Sequence, residues 1–382
     1  MSVQRRPKAG TDKRGRVSWV VRWYEDGKQR SKSFGTRGDA AKFDAEITQA
    51  KMRGQSAHLA SDITVGELFD QWAGRETVIR DTTREGYRHT RDDLKPIENK
   101  KATTLTAKDV EKWHQLLITG REWRGGSALS TRTAREHVSR LAAAYTWGAR
   151  RDMVGRNIVQ VADIPGLGTV ARGGVCPWTY DEFVKVAQQL EKGGHLYKTA
   201  PSAKNKQKAD PHHAAGLLVR IALDTGARLS EILGLTWGDV DLEHGTITIN
   251  KQVSKQGQYV DLKTPNANRV VPLPDALCDH MRHFKQAQKQ TGDNAPVLAT
   301  TRGGVCRPIT MGAHIRHAAD AVGLSGLHLH QARHLYASRL IEKGAPVTTV
   351  SALLGHASPS ITLDIYSHVM QDYTESARAY IQ

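Results

Sequence analysis

Cysteine is scarce in this chain. There are three in 382 residues, Cys176, Cys278 and Cys306, far apart and with no CxxC pair. That excludes a disulfide framework and a zinc knuckle, and it suits a reducing compartment. Long apolar runs are missing as well: the longest, Ala214 to Leu223, is broken by Arg220 and falls far short of the ~20 residues a membrane span needs. The basic start MSVQRRPKAGTDKRGR has no apolar stretch behind it and does not read as a secretory signal. Metalloprotease (HExxH), hydrolase (GxSxG) and P-loop (GxxxxGK[ST]) signatures are absent, and Gly166 and Gly168 follow no strand. Acidic residues are in deficit, 39 against 55 Lys and Arg, which leaves a net charge of +16. A surface of that sign points to a polyanion, most often nucleic acid.

What is present is the composition of an ordinary globular protein, 39% hydrophobic and 25% charged, long enough for two or three domains. The seventeen histidines invite a metal reading, and His314 and His317 with Cys306 come nearest to a ligand set. A fourth ligand at suitable spacing is missing, so no metal is expected.

The charge is unevenly placed. Residues 1–60 hold fourteen Lys and Arg against six Asp and Glu. After a flexible basic start, Val17 to Tyr24 predicts a strand, Glu25-Asp26-Gly27-Lys28 a hairpin turn and Gln29 to Phe34 a second strand. Thr36 then caps a helix to about Met52 with Ala40, Phe43 and Ile47 on one face. This small α+β unit, 1–56, is suited to placing its sheet in a DNA groove. Gln55 to Asp62 is a polar linker. From Ile63 the spacing turns helical: Thr64 caps Val65, Leu68, Phe69 and Trp72, Thr82 opens a helix through Tyr87, Thr106 caps a third and Ser130 or Thr131 a fourth. Residues 62–165 therefore form an all-α unit whose outer faces are rich in arginine, which favours phosphate contact over a merely solvated surface. The Gly-rich stretch Val161 to Val175 reads as a linker. The last unit, 177–382, opens at Thr179, carries a Lys-rich mobile loop over Lys192 to Asp210, a buried helix from Ala214 to Asp224, a short helix at Leu229 to Leu235, strands near 246–253, 258–262 and 269–273, and helices thereafter.

Chemistry concentrates in this unit. Arg228 stands just ahead of the short helix, preorganised to meet a phosphate, with Glu231 one turn on. Lys263 sits in a turn between strands, where a single mobile cation can reach outward. His330-Gln331-Ala332-Arg333-His334, Leu354-Gly355-His356 and Tyr366 follow. Each is weak alone: Arg228 and Arg333 could be ion-pair residues, Tyr336 and Tyr373 compete with Tyr366, and His334 has a structural look, while His328 and His368 carry no expected role.

Order and spacing together are stronger. The blocks GARLSEILGLTW, LKTPNANRVVPL and HQARHLYASRLIEKGAPVTTVSALLGHASPSITLDIYSHV resemble the catalytic signature of the tyrosine site-specific recombinases, the phage integrase family. Gln331-Ala332 replaces the commoner Asp-Leu between His330 and Arg333, which changes packing but not the donors. The resemblance covers 177–382. The helical unit is similar in position and character to that family's core-type DNA-binding domain, and the first unit to the arm-type domain of lambda-like integrases. It implies a mixed, mainly α catalytic domain with a small antiparallel sheet. Tyr366 would be the nucleophile that forms a 3′-phosphotyrosine, Arg228, Arg333 and His356 would hold the nonbridging oxygens, Lys263 would be the general acid, and His330 would assist proton transfer or orient the phosphate. It implies no cofactor, metal or ATP. It implies double-stranded DNA with core-type and arm-type sites as partner, a homotetramer that exchanges strands through a Holliday junction, no membrane, and the cytoplasm of a bacterial host. It leaves open a DNA-bending host factor, a directionality factor, and whether the tail after Tyr366 docks on a neighbouring protomer or on its own domain. A type IB topoisomerase and a non-catalytic DNA-binding protein remain the alternatives.

Overall fold

Helix starts are written plainly into this chain. Thr64, Thr106 and Thr179 each accept a hydrogen bond from the backbone of an acidic residue three positions on, Glu67, Asp109 and Glu182, whose carboxylate accepts in return from the cap's own N–H. Each reciprocal pair satisfies two backbone donors that a helix start leaves open. A computed structural model describes residues 3–7, 17–25, 28–52, 63–75, 79–166, 176–197, 207–210 and 212–366. The chain divides into two units, Met1–Val170 and Ala171–Gln382.

The first unit begins with a three-stranded antiparallel sheet, β1 (Val3–Arg6), β2 (Ser18–Glu25) and β3 (Lys28–Phe34), in the order β1-β2-β3. Helix α1 (Arg37–Met52) closes it, with Val21, Ala40 and Ile47 as its small core. Strand β1 replaces the flexible start expected from the sequence: Val3 pairs with Val21 and packs on that core, one apolar residue in a run of four and too faint a pattern to read. The Asp26-Gly27 turn lies outside the described residues, but β2 and β3 pair from Trp19–Phe34 to Glu25–Lys28, as that turn requires. Four helices follow, α2 (Val65–Ala73), α3 (Asp81–Asp93), α4 (Ala107–Thr119) and α5 (Thr131–Ala149). They enclose a second apolar cluster that includes Phe69, Trp113, Leu141 and Tyr145 and that runs on to Ile164. Ala162 and Ile164 are thus core residues of this unit and not free linker. Helix α3 starts one residue before Thr82 and reaches Asp93, beyond the expected Tyr87. Asp93 is buried, receives Arg121 at 3.0 Å, and its carbonyl accepts from Trp113 Nε1 at 2.7 Å.

The second unit opens with α6 (Tyr180–Lys192). Residues expected as a mobile loop include a short antiparallel ribbon, β4 (Leu196–Tyr197) with β5 (Gln207–Lys208), the middle of that insertion lying outside the described residues. Helix α7 (His213–Thr225) is buried almost all round, which is why its sequence is apolar without a stripe. The short α8 (Leu229–Ile232) follows, then β6 (Val240–Asp241), β7 (Thr246–Ile249), β8 (Lys251–Val253), β9 (Tyr259–Asp261) and β10 (Arg269–Pro272). These form two antiparallel sheets, β10-β7-β6 and β8-β9. Ile247, Ile249 and Val271 alternate inward, as a half-buried sheet demands. Arg269 occupies an inward position too, and that anomaly leads to the site. Helices α9 (Asp275–Ala287), α10 (Pro308–Ala321), α11 (His330–Glu342), α12 (Val347–Leu354) and α13 (Pro359–Tyr366) complete the described chain. Phe183, Leu190, Leu218 and Ile221 centre the main core, each stabilising the fold by about 1.5–3 kcal/mol through burial. A separate small cluster of Ala337, Val350, Leu354 and Tyr366 ties α11, α12 and α13 together.

Candidate active site

The inward Arg269 finds its partner in Glu231, the third residue of α8. Glu231 is 2% exposed, and its Oε2 accepts from Arg269 Nη2 at 2.9 Å while Oε1 accepts from Arg228 Nη1 at 2.6 Å. Burial pushes this carboxyl up, but Arg269 and Arg228 outweigh it and hold it below the ordinary carboxylate range. A buried anion stands between two guanidiniums, and the more exposed of the two is Arg228. The ion-pair reading of Arg228 therefore holds, and it does not use up the side chain: Glu231 fixes one edge of its guanidinium and leaves the rest available.

Arg333 enters the same cluster from the first turn of α11. It is 3% exposed, and its Nη1 and Nη2 donate to the carbonyls of Gly226 at 2.9 Å and Leu354 at 2.7 Å. These carbonyls lie at the C-terminal ends of α7 and α12, where helices leave acceptors unpaired. Gly226 turns α7 toward α8 with φ of +62°, and a Cβ there would lie 2.6 Å from the Tyr336 ring and 2.9 Å from Leu354. Gly355 does the same after α12 at φ +67°, where a Cβ would meet Arg269 Nη1 at 2.9 Å. Two glycines thus let three segments close on the arginines. Burial, then Arg228, pull the Arg333 guanidinium down to about 9.

The histidines ring this positive centre. His356 follows Gly355, and its Nδ1 lies 2.8 Å from the buried Thr362 Oγ1. Burial first, then Arg333, Arg228 and Arg269, push it down to about 4. His330, at the start of α11, keeps an exposed face, and its ring meets that of His334 edge to face at 5.1 Å. Desolvation of the ring and the neighbouring His334, Arg333 and Arg228 lower its affinity for a proton. Tyr366 ends α13, 2% exposed, and burial raises its phenol to about 12 against the opposing pull of Arg333. Its Oη lies 2.9 Å from His334 Nδ1.

Five of the six residues singled out in the sequence, Arg228, His330, Arg333, His356 and Tyr366, therefore share one neighbourhood. Lys263 stands apart on the loop after β9, exposed, without an ion-pair partner among the described residues. The loop joins strands of different sheets, so it is not the tip of one hairpin. His334, which had a structural look in the sequence, touches the Tyr366 hydroxyl; no sequence signal foretells that contact, because only the fold brings α13 against α11. Glu231, already noted one turn after Arg228, and Arg269 also belong to the cluster; for Arg269 a charge at an inward strand position was the only trace. His314 lies against His212, ring centroids 4.6 Å apart, and no group of three metal-capable side chains occurs among the described residues. The tail 367–382, with Tyr373, lies outside them.

Neutral imidazoles around fixed guanidiniums, with the buried Tyr366 hydroxyl against them, make an arrangement that can attract and orient an anion: fixed cations and several neutral donors. The chain is also similar to known proteins. Residues 196–372 match the phage integrase family. The chain is 29% identical over 220 residues to a tyrosine recombinase XerC-like protein of Caldanaerobacter subterraneus, covering 51% of this chain and 54% of that one. It is 25% identical over 202 residues to the ICEBs1 integrase of Bacillus subtilis, half of each chain. The chain thus spans about half the length of the curated relatives it matches. Among solved structures, the Tn1549 transposon integrase in complex with a circular intermediate DNA shares the fold at a TM-score of 0.63 and 19% identity, covering 84% of this chain and 98% of that one. A lambda integrase dimer bound to a core site shares it at 0.55 and 19%, covering 96% and 95%.

Proposed function

We propose that this chain, whose residues 196–372 match the phage integrase family, is a tyrosine recombinase that recombines DNA site-specifically through covalent attack by Tyr366, integrating or excising a phage or mobile element. Tyr366 Oη forms a bond to the scissile phosphorus, the bond to the 5′-oxygen breaks, and a 3′-phosphotyrosine with a free 5′-hydroxyl results. Negative charge grows on the nonbridging oxygens as the phosphorus becomes five-coordinate. Arg228 and Arg333 hold these oxygens as forks, and His356 donates a further hydrogen bond. Lys263 protonates the departing 5′-oxygen, and His330 orients the phosphate or passes a proton. The exposed Lys263 reaches the phosphate once DNA lies across the site. The covalent link conserves the free energy of the phosphodiester, so the second strand can be joined without ATP.

Residues 177–382 are the catalytic domain in this reading, 62–165 the domain that grips the core-type site and 1–56 the domain for arm-type sites. Four copies assemble on two DNA sites and exchange strands through a Holliday junction; one structural neighbour is a lambda integrase tetramer bound to such a junction, at a TM-score of 0.55. No helix among the described residues is long and apolar enough to cross a membrane, and the bacterial cytoplasm is the proposed location.

The observation that carries the proposal is the convergence of Arg228 and Arg333, from segments far apart in the chain, on the cluster that holds Tyr366. The test is covalent capture. The protein is incubated with a pool of nicked duplexes carrying random inserts, and DNA that resists denaturing extraction is amplified to find the cognate site. A denaturation-resistant adduct that disappears in Tyr366→Phe supports the proposal. Strand exchange between two such sites, as opposed to relaxation of supercoils alone, separates recombinase from topoisomerase. No adduct from any sequence in the pool would refute it.

A further inference from the structure

Consecutive residues on a helix point about 100° apart, and α11 uses that divergence. Arg333 points into the cluster toward the carbonyls of Gly226 and Leu354, while His334 points to α13 and meets the last residue of that helix. Among the described residues, His334 is the one side chain hydrogen-bonded to Tyr366. The separation of 2.9 Å is within the range for direct proton transfer.

Resting on Tyr366 as nucleophile, we infer that His334 is the general base that takes the Tyr366 proton during DNA cleavage. The need for one follows from the phenol itself: burial raises it to about 12, so only about one molecule in 10⁵ carries a phenolate at pH 7. His334 is kept neutral by burial, by Arg333 beside it and by His328, so its ring has a lone pair to offer. The groups facing the pair are Arg333, His330 and His328 around His334, and Arg333 and Cys176 around Tyr366. His330 is held neutral as well but touches the ring of His334, not the hydroxyl. In the step, the Oη–P bond forms as the P–O5′ bond breaks; the Oη proton passes to Nδ1, giving an imidazolium, and Lys263 supplies the proton for O5′. Rejoining runs the same path backward: the imidazolium returns its proton to the departing phenol. An imidazolium formed beside Arg333 is tolerable at that moment because the bound phosphate adds negative charge.

His334→Asn separates base from positioner, since an amide oxygen near the place of Nδ1 can still accept from the hydroxyl but cannot hold its proton. Single-turnover adduct formation on a captured nicked duplex should fall at least ~100-fold in H334N, with DNA retention in a gel shift unchanged. In the unaltered protein the rate should level off by about pH 6.5, the ordinary histidine value; in H334N it should climb about tenfold per pH unit toward the phenol's own ionisation. Replacing Tyr366 by the more acidic 3,5-difluorotyrosine should restore most of the lost rate in H334N and change the unaltered protein little, which a merely structural role would not do. His334→Gln serves the same comparison if H334N does not fold. Cleavage by both variants within threefold of the unaltered protein, on the same pH profile, would overturn the inference. An adduct that survives in Tyr366→Phe would overturn the nucleophile assignment beneath it, and the two failures look different on the same gel.

Discussion

The charged cluster of Arg228, Glu231, Arg269 and Arg333 and the lone Lys263 belong to one proposed reaction and could hardly be built more differently. The cluster is packed against the ends of α7 and α12, compensated by one buried carboxylate and tied to backbone carbonyls. Lys263 is exposed on an irregular stretch between two sheets. The difference teaches where folding and chemistry share residues and where they do not. A fork that must meet two oxygens at fixed angles gains from being immobile, and immobility requires burial and partners. A proton donor that acts only after DNA arrives gains from reach.

That contrast can be broken at either end. The largest effect belongs to Arg333→Ala, which strands two buried carbonyls and removes the proposed phosphate fork: adduct formation should fall by more than ~10³-fold, with a loss of folding stability of about 3 kcal/mol or more, measured by denaturant unfolding. Lys263→Ala should cut adduct formation by about 10²–10⁴-fold while leaving unfolding within about 0.5 kcal/mol of the unaltered protein. A substrate whose bridging 5′-oxygen is sulfur needs no proton on departure and should recover most of the Lys263→Ala rate. It should recover little for Arg333→Ala, and equal rescue of both would erase the distinction. Glu231→Gln touches no phosphate yet leaves Arg269 buried beside a neutral amide. It should lower stability by about 3 kcal/mol, seen as a melting point lower by roughly ten degrees, and adduct formation by a smaller factor than either cation.

The smallest effect concerns a buried group with no chemistry to do. His137 in the helical unit is 2% exposed, and burial pushes it down to about 4. Its folded value lies below the unfolded one, so the unfolded chain takes up the proton first. Stability is complete above pH 6.5 and is lost as pH falls from there toward 4, by about 2 kcal/mol at pH 5. Unfolding followed from pH 7 to 5 should show this loss, and His137→Gln should flatten it.

The grouping of the candidate site residues was more legible in the sequence than the fold around them. Arg228, His330, Arg333, His356 and Tyr366 stand in blocks whose order is itself the signal, and local rules found Thr64, Thr106 and Thr179 as caps and narrowed a fourth to Ser130 or Thr131, because a cap depends only on the next three residues. What depends on distant partners stayed hidden. Strand β1 needs Val21 to exist, the β4–β5 ribbon closes across an insertion that looked formless, and Arg269 is intelligible only once Glu231 lies opposite it. His334 is the sharpest case, a residue read as structural whose meaning lies in a contact thirty-two positions away.

The central claim is that this unit is assembled to join Tyr366 to DNA. Mass spectrometry of the captured adduct, after nuclease trimming and proteolysis, reads it directly. The account predicts a 3′-phosphonucleotide on the peptide containing Tyr366 and on no other. The same mass on Tyr336 or Tyr373 would contradict it.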